Sequence, residues 1–214
     1  FRRGVPGVFD GEGPDAAFAP GGGLRKVGRV ARGVTGTRVR YWPDRQIFLA
    51  EAGLSLRHLL DRARQTSFLV PGLELVVTDA RSDEPTIERF RHEGGISEFC
   101  DFLAPGSPVT DVIRLRGSDQ FTETVPMLDE AGAMTPSDVE RQLDVDVAVR
   151  WGTGYDTLVA SFVNIIATPK GGTHVTGFER GLTRAFARAL DGTRLLKAGE
   201  EVIKDDVLEG LTAV

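Results

Sequence analysis

The chain has 214 residues, 41% of them hydrophobic and 27% charged, which is ordinary for a globular protein and long enough for one large domain or two smaller ones. Its net charge of -5 excludes the global positive field of a free-standing nucleic-acid binder. A single cysteine, Cys100, excludes an internal disulfide, and His58, His92 and His174 lie too far apart for metal-ligand spacing. No window of 18 apolar residues predicts a membrane span and no signal peptide is visible.

Residues 1–23 are dense in glycine and proline and predict a loop, pinned by Phe1, Val5, Phe9 and Phe18. The chain starts at Phe1 rather than a methionine and stops in the strand-like run Leu211 to Val214, so both ends read as cuts in a longer protein. Val34 to Trp42 alternates and predicts a strand behind a Thr35-Gly36-Thr37 turn, closed by Pro43-Asp44. Ser55 to Phe68 predicts a helix, with Ser55 as cap and Leu56, Leu59, Leu60 and Ala63 on its apolar side. Pro71-Gly72 ends it. Leu73 to Thr78 and Thr86 to His92 predict a hairpin. Gly94-Gly95 then hinges into a short helix, Ile96 to Leu103, packing through Phe99, Phe102 and Leu103, with Cys100 as a small buried group. A domain boundary fits best at His92 to Gly95.

Val109 to Leu115 predicts a strand. Gly117 to Glu140, with acidic Asp129-Glu130 and a helical turn at Thr135-Pro136-Ser137, predicts strands joined by a surface excursion. Val145 to Trp151 is a half-buried strand by its alternation, and Leu158 to Ile166 returns as a second one. The run Ser161 to Phe178 is the most heavily punctuated of the chain. A strand there empties through Lys170-Gly171-Gly172 into a helix starting at Thr173. The loop reads either as a cradle of backbone N–H groups for an anion or as a close-packed connection. The helix to Leu190 carries an apolar stripe, Phe178, Leu182, Ala185, Phe186, Ala189 and Leu190. Arg180, Arg184 and Arg188 form a basic rail on another face, either solvated or facing an anion. Lys204 to Gly210 predicts a short helix before the strand at Leu211. Asp205 and Asp206 diverge on that helix and make no carboxylate pair for hydrolysis. No Walker or dinucleotide motif and no nucleophile triad can be placed. The residues alone therefore give an α+β chain without a complete active site.

Several segments in fixed order carry a resemblance: Thr35 through Asp44, Phe68-Leu69 before Pro71-Gly72, Glu93-Gly94-Gly95-Ile96, Ser161-Phe162-Val163-Asn164, Gly171 through His174, Gly177-Phe178, Asp205-Asp206 and Glu209 through Val214. The chain resembles the ATPase subunit of bacterial type IIA topoisomerases, the B subunit of DNA gyrase or its topoisomerase IV counterpart, over nearly its whole length. The resemblance implies that residues 1–92 end an ATP-binding domain of the gyrase, heat-shock chaperone, histidine-kinase and MutL type. It implies that residues 93–214 are most of a transducer domain with a left-handed βαβ crossover. Thr37 then lines the nucleotide pocket through a water near the adenine, and Val39 stands in its wall.

The family's catalytic glutamate, magnesium-binding asparagine and lid would precede Phe1, and its Gln-Thr-Lys loop would follow Val214. The resemblance thus implies ATP and Mg2+ in the parent protein, with neither expected to bind well to these 214 residues. It further implies double-stranded DNA, a DNA-cleaving A-type subunit and ATP-driven homodimerisation as partners, no membrane, and a cytoplasmic location. Ile165 departs from the asparagine frequent there, and the Gly117–Glu140 excursion exceeds that of shorter members. The competing reading is a stand-alone interaction or DNA-binding scaffold that uses Arg180, Arg184 and Arg188.

Overall fold

The computed structural model describes residues 1–11, 13, 15–21, 26–43, 47–49, 52–128, 132–193, 195–197 and 199–214. The chain divides into two compact units, Phe1–Ser55 and Leu56–Val214.

In the first unit, β1 (Gly7–Asp10) and β2 (Ala17–Pro20) form an antiparallel hairpin. The glycines predicted loop throughout, but Phe9 and Phe18 sit directly opposite each other, their ring centroids 4.9 Å apart. That cross-strand aromatic pair, with the Arg2 guanidinium over both rings, outweighs the local turn preference. The strand expected over Val34 to Trp42 is not formed. The stretch is exposed and no described strand pairs with it, so its alternation has no ladder to join. The expected closing residue Asp44 lies outside the described residues.

The second unit begins with α1 (Leu56–Leu69), β3 (Leu75–Asp79), β4 (Thr86–Phe90) and α2 (Ile96–Leu103). The helix α1 buries Ala63, Ser67 and Phe68, while Leu59 of the expected face stays exposed. The β3–β4 hairpin runs in register from Leu75↔Phe90 to Asp79↔Thr86. Phe99 and Cys100 are the buried side of α2; Phe102, expected there too, is mostly exposed at its outer edge.

A four-stranded sheet follows in the order β5-β6-β10-β7, from β5 (Ile113–Leu128), β6 (Met134–Trp151), β7 (Leu158–Val159) and β10 (Leu211–Ala213). β5 and β6 pair without interruption from Ile113↔Val149 to Leu128↔Met134. The excursion and helical turn expected across Gly117 to Glu140 are therefore a continuous two-stranded ribbon. The Asp129-Glu130 dipeptide lies outside the described residues. Proline at Pro136 stops a helix interior but is tolerated on a ribbon edge, opposite Pro126.

The expected single strand Leu158 to Ile166 is broken into β7, β8 (Phe162–Val163) and β9 (Ile166–Ala167). Asn164 turns the chain with φ 56°, a left-handed conformation that asparagine tolerates, so β8 folds back on β9. The helix α3 (Thr173–Leu190) and the short α4 (Lys204–Leu208) then lead to β10, which pairs parallel to β7 and antiparallel to β6. The segment from β7 to β10 is thus a βαβ crossover in a mixed sheet.

Both faces of β6 are used. Val149 with Leu208, Leu211 and Ala213 forms the core beneath α3 and α4, joined by Phe178 and Leu182. Ala148 and Arg150 point to the other face, where α2 lies: Cys100 Sγ reaches the Thr212 carbonyl at 3.4 Å and Arg150 pairs with Asp101. Of the stripe expected on α3, Phe178, Leu182 and Leu190 are half-buried, while Ala185, Phe186 and Ala189 remain exposed.

Candidate functional site

The resemblance implies nucleotide contacts at Thr37 and Val39. Both are exposed, Val39 at 78%, in a stretch without secondary structure, and a Cβ built on Gly36 meets nothing within 4 Å. The described part of Phe1–Ser55 thus offers no walled pocket at these residues.

The Lys170-Gly171-Gly172 loop resolves the other way. A Cβ on Gly172 would lie 2.8 Å from the His174 ring, so the loop is filled by its own chain. His174 Nε2 is 3.1 Å from Thr168 Oγ1, which in turn meets Ser161 Oγ at 2.7 Å. This chain of hydrogen bonds ties the start of α3 to the strand entering it; the close-packed reading holds over the anion cradle. Among the described residues no group of three or more His, Cys, Asp or Glu could hold a metal ion.

What the structure does assemble is a junction between α1, α2 and the sheet. Phe68, buried on α1, stacks on His92 with centroids 3.5 Å apart and on Phe99 of α2 at 4.8 Å. Ser67 is fully buried and donates to the Arg64 carbonyl at 2.7 Å, so the His92 Nδ1–H supplies the bond of 2.8 Å to its Oγ. Gly94 and Gly95 stand at the start of α2. Gly95 has φ 64° and a Cβ there would come within 3.0 Å of Pro71, while the Gly94 N–H donates to Glu98 Oε2 at 3.0 Å. The pair is packed rather than loose.

Arg114 and Asp146 form a bidentate pair at 2.8 and 2.7 Å beside this junction. The hydrogen bonds from Arg114 hold the Asp146 carboxyl below the usual carboxylate range. Arg150 crosses from β6 to Asp101 on α2 with its side chain only 9% exposed and its Nε unpartnered. Burial pushes the neighbouring Cys100 thiol up to about 11, against the opposing pull of Arg150.

Sequence reasoning missed the roles of Ser67, His92, Arg150 and Asp101. Arg150 has the parity opposite to Val147, Val149 and Trp151, which reads as a solvated face when only one face of the strand is expected to be covered. Arg180, Arg184 and Arg188 of α3 are exposed, as the solvated reading requires.

Comparisons with known proteins agree with this arrangement. Residues 95–214 match the family model described as DNA gyrase B. The B subunit of DNA topoisomerase 4 from Staphylococcus aureus is 32% identical over 198 residues, covering 92% of this chain and 26% of that protein. The crystal structure of the 43K ATPase domain of Thermus thermophilus gyrase B, solved in complex with an aminocoumarin, is similar with a TM-score of 0.57 and 27% identity. That match covers 80% of this chain and 41% of the other. The gyrase B subunit of Myxococcus xanthus shares the fold with a TM-score of 0.54 at 23% identity, over 86% of this chain and 47% of its own. This chain therefore spans about a quarter of the length of the curated relatives it matches. With the model matched across α2, the sheet and both crossover helices, the chain belongs to the DNA gyrase B family.

Proposed function

We propose that this chain is the nucleotide-signal relay of an ATP-dependent type II DNA topoisomerase of the gyrase B or topoisomerase IV B type. In this reading residues 1–92 belong to the ATP-binding domain and residues 93–214 to the transducer. The parent protein changes DNA topology by passing one duplex through another, with ATP and Mg2+ as cofactors, an A-type subunit as DNA-cleaving partner and a second copy as dimer mate. Its place of work in this reading is the cytoplasm, where the DNA is. Among the described residues no helix is long and apolar enough to cross a membrane. Thr37 and Val39 are the proposed nucleotide-side residues of this chain. ATP supplies the binding and hydrolysis energy; the residues here contribute position.

The observation that carries the reading is the α1–α2–sheet junction, of which α2 and the sheet lie inside the family match. A displacement of α1 acts on α2 through the Phe68–Phe99 stack, since a close-packed interior transmits strain. From α2 it reaches β6 and β10 together, through Asp101–Arg150 and Cys100–Thr212. Strand passage by the full-length protein with its A-type subunit tests the function: ATP-dependent relaxation or supercoiling is expected, and its absence overturns the reading. Replacing Asp101 by alanine removes the carboxylate partner of the buried Arg150; because Asp101 itself faces solvent, the loss is about 1–2 kcal/mol. Strand passage should then fall more than ATP turnover, whereas equal losses count against a relay at α2.

A second reading, duplex DNA binding through Arg180, Arg184 and Arg188, is favoured by the 4-residue spacing and exposure of the rail. If each arginine contacts a phosphate, their triple replacement lowers the salt slope of DNA binding by about 2.7. An unchanged slope removes the rail from the DNA path.

A further inference from the structure

The ribbon formed by β5 and β6 has two unlike faces. Because successive side chains alternate, one face carries Arg116 with Asp146, Ser118 with Asp144, Gln120 with Gln142 and Thr122 with Glu140, all polar. The other face begins at Leu115 and Val147 against α3 and continues outward through Phe121, Val125, Leu143 and Val139, interleaved with Asp119, Glu123, Arg141 and Ser137. Near its base this face and α3 enclose an apolar groove of about 340 Å³, floored by Val145, Val147, Phe178 and Leu182. Farther out, no other described element of Leu56–Val214 covers it, and Phe121 and Leu143 are each 48% exposed. A two-stranded hairpin alone is marginal in water, and an apolar face on one calls for a cover.

We propose that the apolar face of this ribbon is a self-association surface, covered by the same face of a second copy of the chain. The charges on the face select that occupant. Along β5 the outward positions read Asp119, Phe121, Glu123; directly opposite on β6 stand Leu143, Arg141, Val139. A twofold axis parallel to the strands lays β5 of one copy over β6 of the other, row on row. Phe121 then rests on the stem of the partner's Arg141, between the partner's Leu143 and the partner's Val139. Reciprocally, Arg141 faces Phe121 of the partner subunit and lies between the partner's Asp119 and the partner's Glu123. Phe121 meets the partner's Leu143 and the partner's Val139 along the diagonals, while Leu143 and Val139 themselves lie over the partner's Asp119 and the partner's Glu123; the guanidinium meets two carboxylates and an aromatic face.

Within one copy Arg141 already leans toward Glu123, Nε to Oε2 3.2 Å, so the cation is held on the apolar side of the ribbon. The other twofold, perpendicular to the strands, stacks β5 on β5 and sets Asp119 against Glu123, which repels. The free stretch from Asp119 to Met127 is roughly 30 Å long and about 10 Å wide. It buries on the order of 600 Å² in total, well below the size of a permanent interface, so the dimer is weak and concentration-dependent.

The test uses the 214-residue chain without nucleotide, by sedimentation equilibrium from micromolar to roughly 100 µM, in the concentration range of weak association. Self-association is expected for the native chain. Arg141→Glu, facing two carboxylates, and the double change Asp119→Arg with Glu123→Arg, facing an arginine, should each remain monomeric, dissociation constants rising at least tenfold. All three sites lie on the exposed ribbon, and circular dichroism melts confirm that each variant is folded. Mixed one to one, the two variants place opposite charges across both halves of the interface, and a heterodimer should reappear. A native chain that stays monomeric overturns the proposal. So does a dimer indifferent to both variants, or a mixture that fails to associate. Association lost instead on changing Arg180, Arg184 and Arg188 assigns the surface to α3 and likewise overturns it.

Discussion

Gly210 sits where the last crossover helix gives way to β10, with φ 70°. A Cβ there would lie 2.6 Å from the Gly154 carbonyl and 2.7 Å from that of Gly152. Both faults act together, so Gly210→Ala should lose about 2–4 kcal/mol in a urea titration, more than backbone preference alone explains. Cys100 makes a chemical prediction. Moving its thiol to about 11 cuts the thiolate fraction at pH 8 roughly a hundredfold relative to the unperturbed group, so labelling by a thiol reagent should await unfolding.

The same shift has a stability consequence of definite sign. The thiol is the favoured folded form, so its contribution is complete below the ordinary value of 9.0 and declines as pH rises toward 11. Asp146 has the opposite sense: held low by Arg114, it supports the fold above the ordinary carboxylate pKa and loses that support on acidification. Thermal melts at pH 7, 3 and 10.5 should show the highest melting temperature at pH 7. Cys100 as a small buried group was legible from its apolar helix face, whereas Arg150 was not. Nothing in one strand's alternation says that a second helix from elsewhere in the chain will cover its polar-looking side.

Elements were legible where the apolar period was long and local. Helices α1, α2 and α3 and the β3–β4 hairpin came from spacing that needs no distant partner. The misreadings share a cause: a strand is defined by its neighbour. Val34 to Trp42 alternates well and pairs with nothing described, while the glycine-rich start pairs through Phe9 and Phe18. The ribbon was obscured by Thr135-Pro136-Ser137, which read as a helical turn, whereas Pro136 stands opposite Pro126 on the paired strand. Asn164 divides β8 from β9 within what periodicity counts as one strand. At that turn Asn164→Gly should be neutral within about 0.5 kcal/mol, because glycine accepts φ 56° freely. Asn164→Val should cost about 1–2 kcal/mol, since a β-branched residue does not; chemical denaturation of the two variants distinguishes the cases.

At the scale of the molecule, the resemblance supplied what the residues could not. The proposed relay needs no reactive group of its own, so a reading confined to catalytic chemistry returns a blank, and the ordered segments carried the functional signal. The Gly94-Gly95 pair shows how the structure changes an experiment. A loose hinge would tolerate two valines with effects on coupling alone. Here Gly95 requires its positive φ and Gly94 approaches Glu98, so the double valine change should destabilise the junction itself, by about 2 kcal/mol or more. A melting temperature unchanged by that variant would restore the free hinge.

The position of β10 has a further consequence, for how the chain comes to be folded. The strand lies between β6 and β7, both made long before it, and completes the core with Leu211 and Ala213. Until it arrives, two strand edges and the apolar side of Val149 stay open to any passing chain. Such distant pairings make folding slow and leave a window for misassembly. Slow refolding, with aggregation that rises steeply with protein concentration and is suppressed by a peptide of the β10 sequence, is the behaviour this topology dictates; light scattering during dilution from denaturant would measure it.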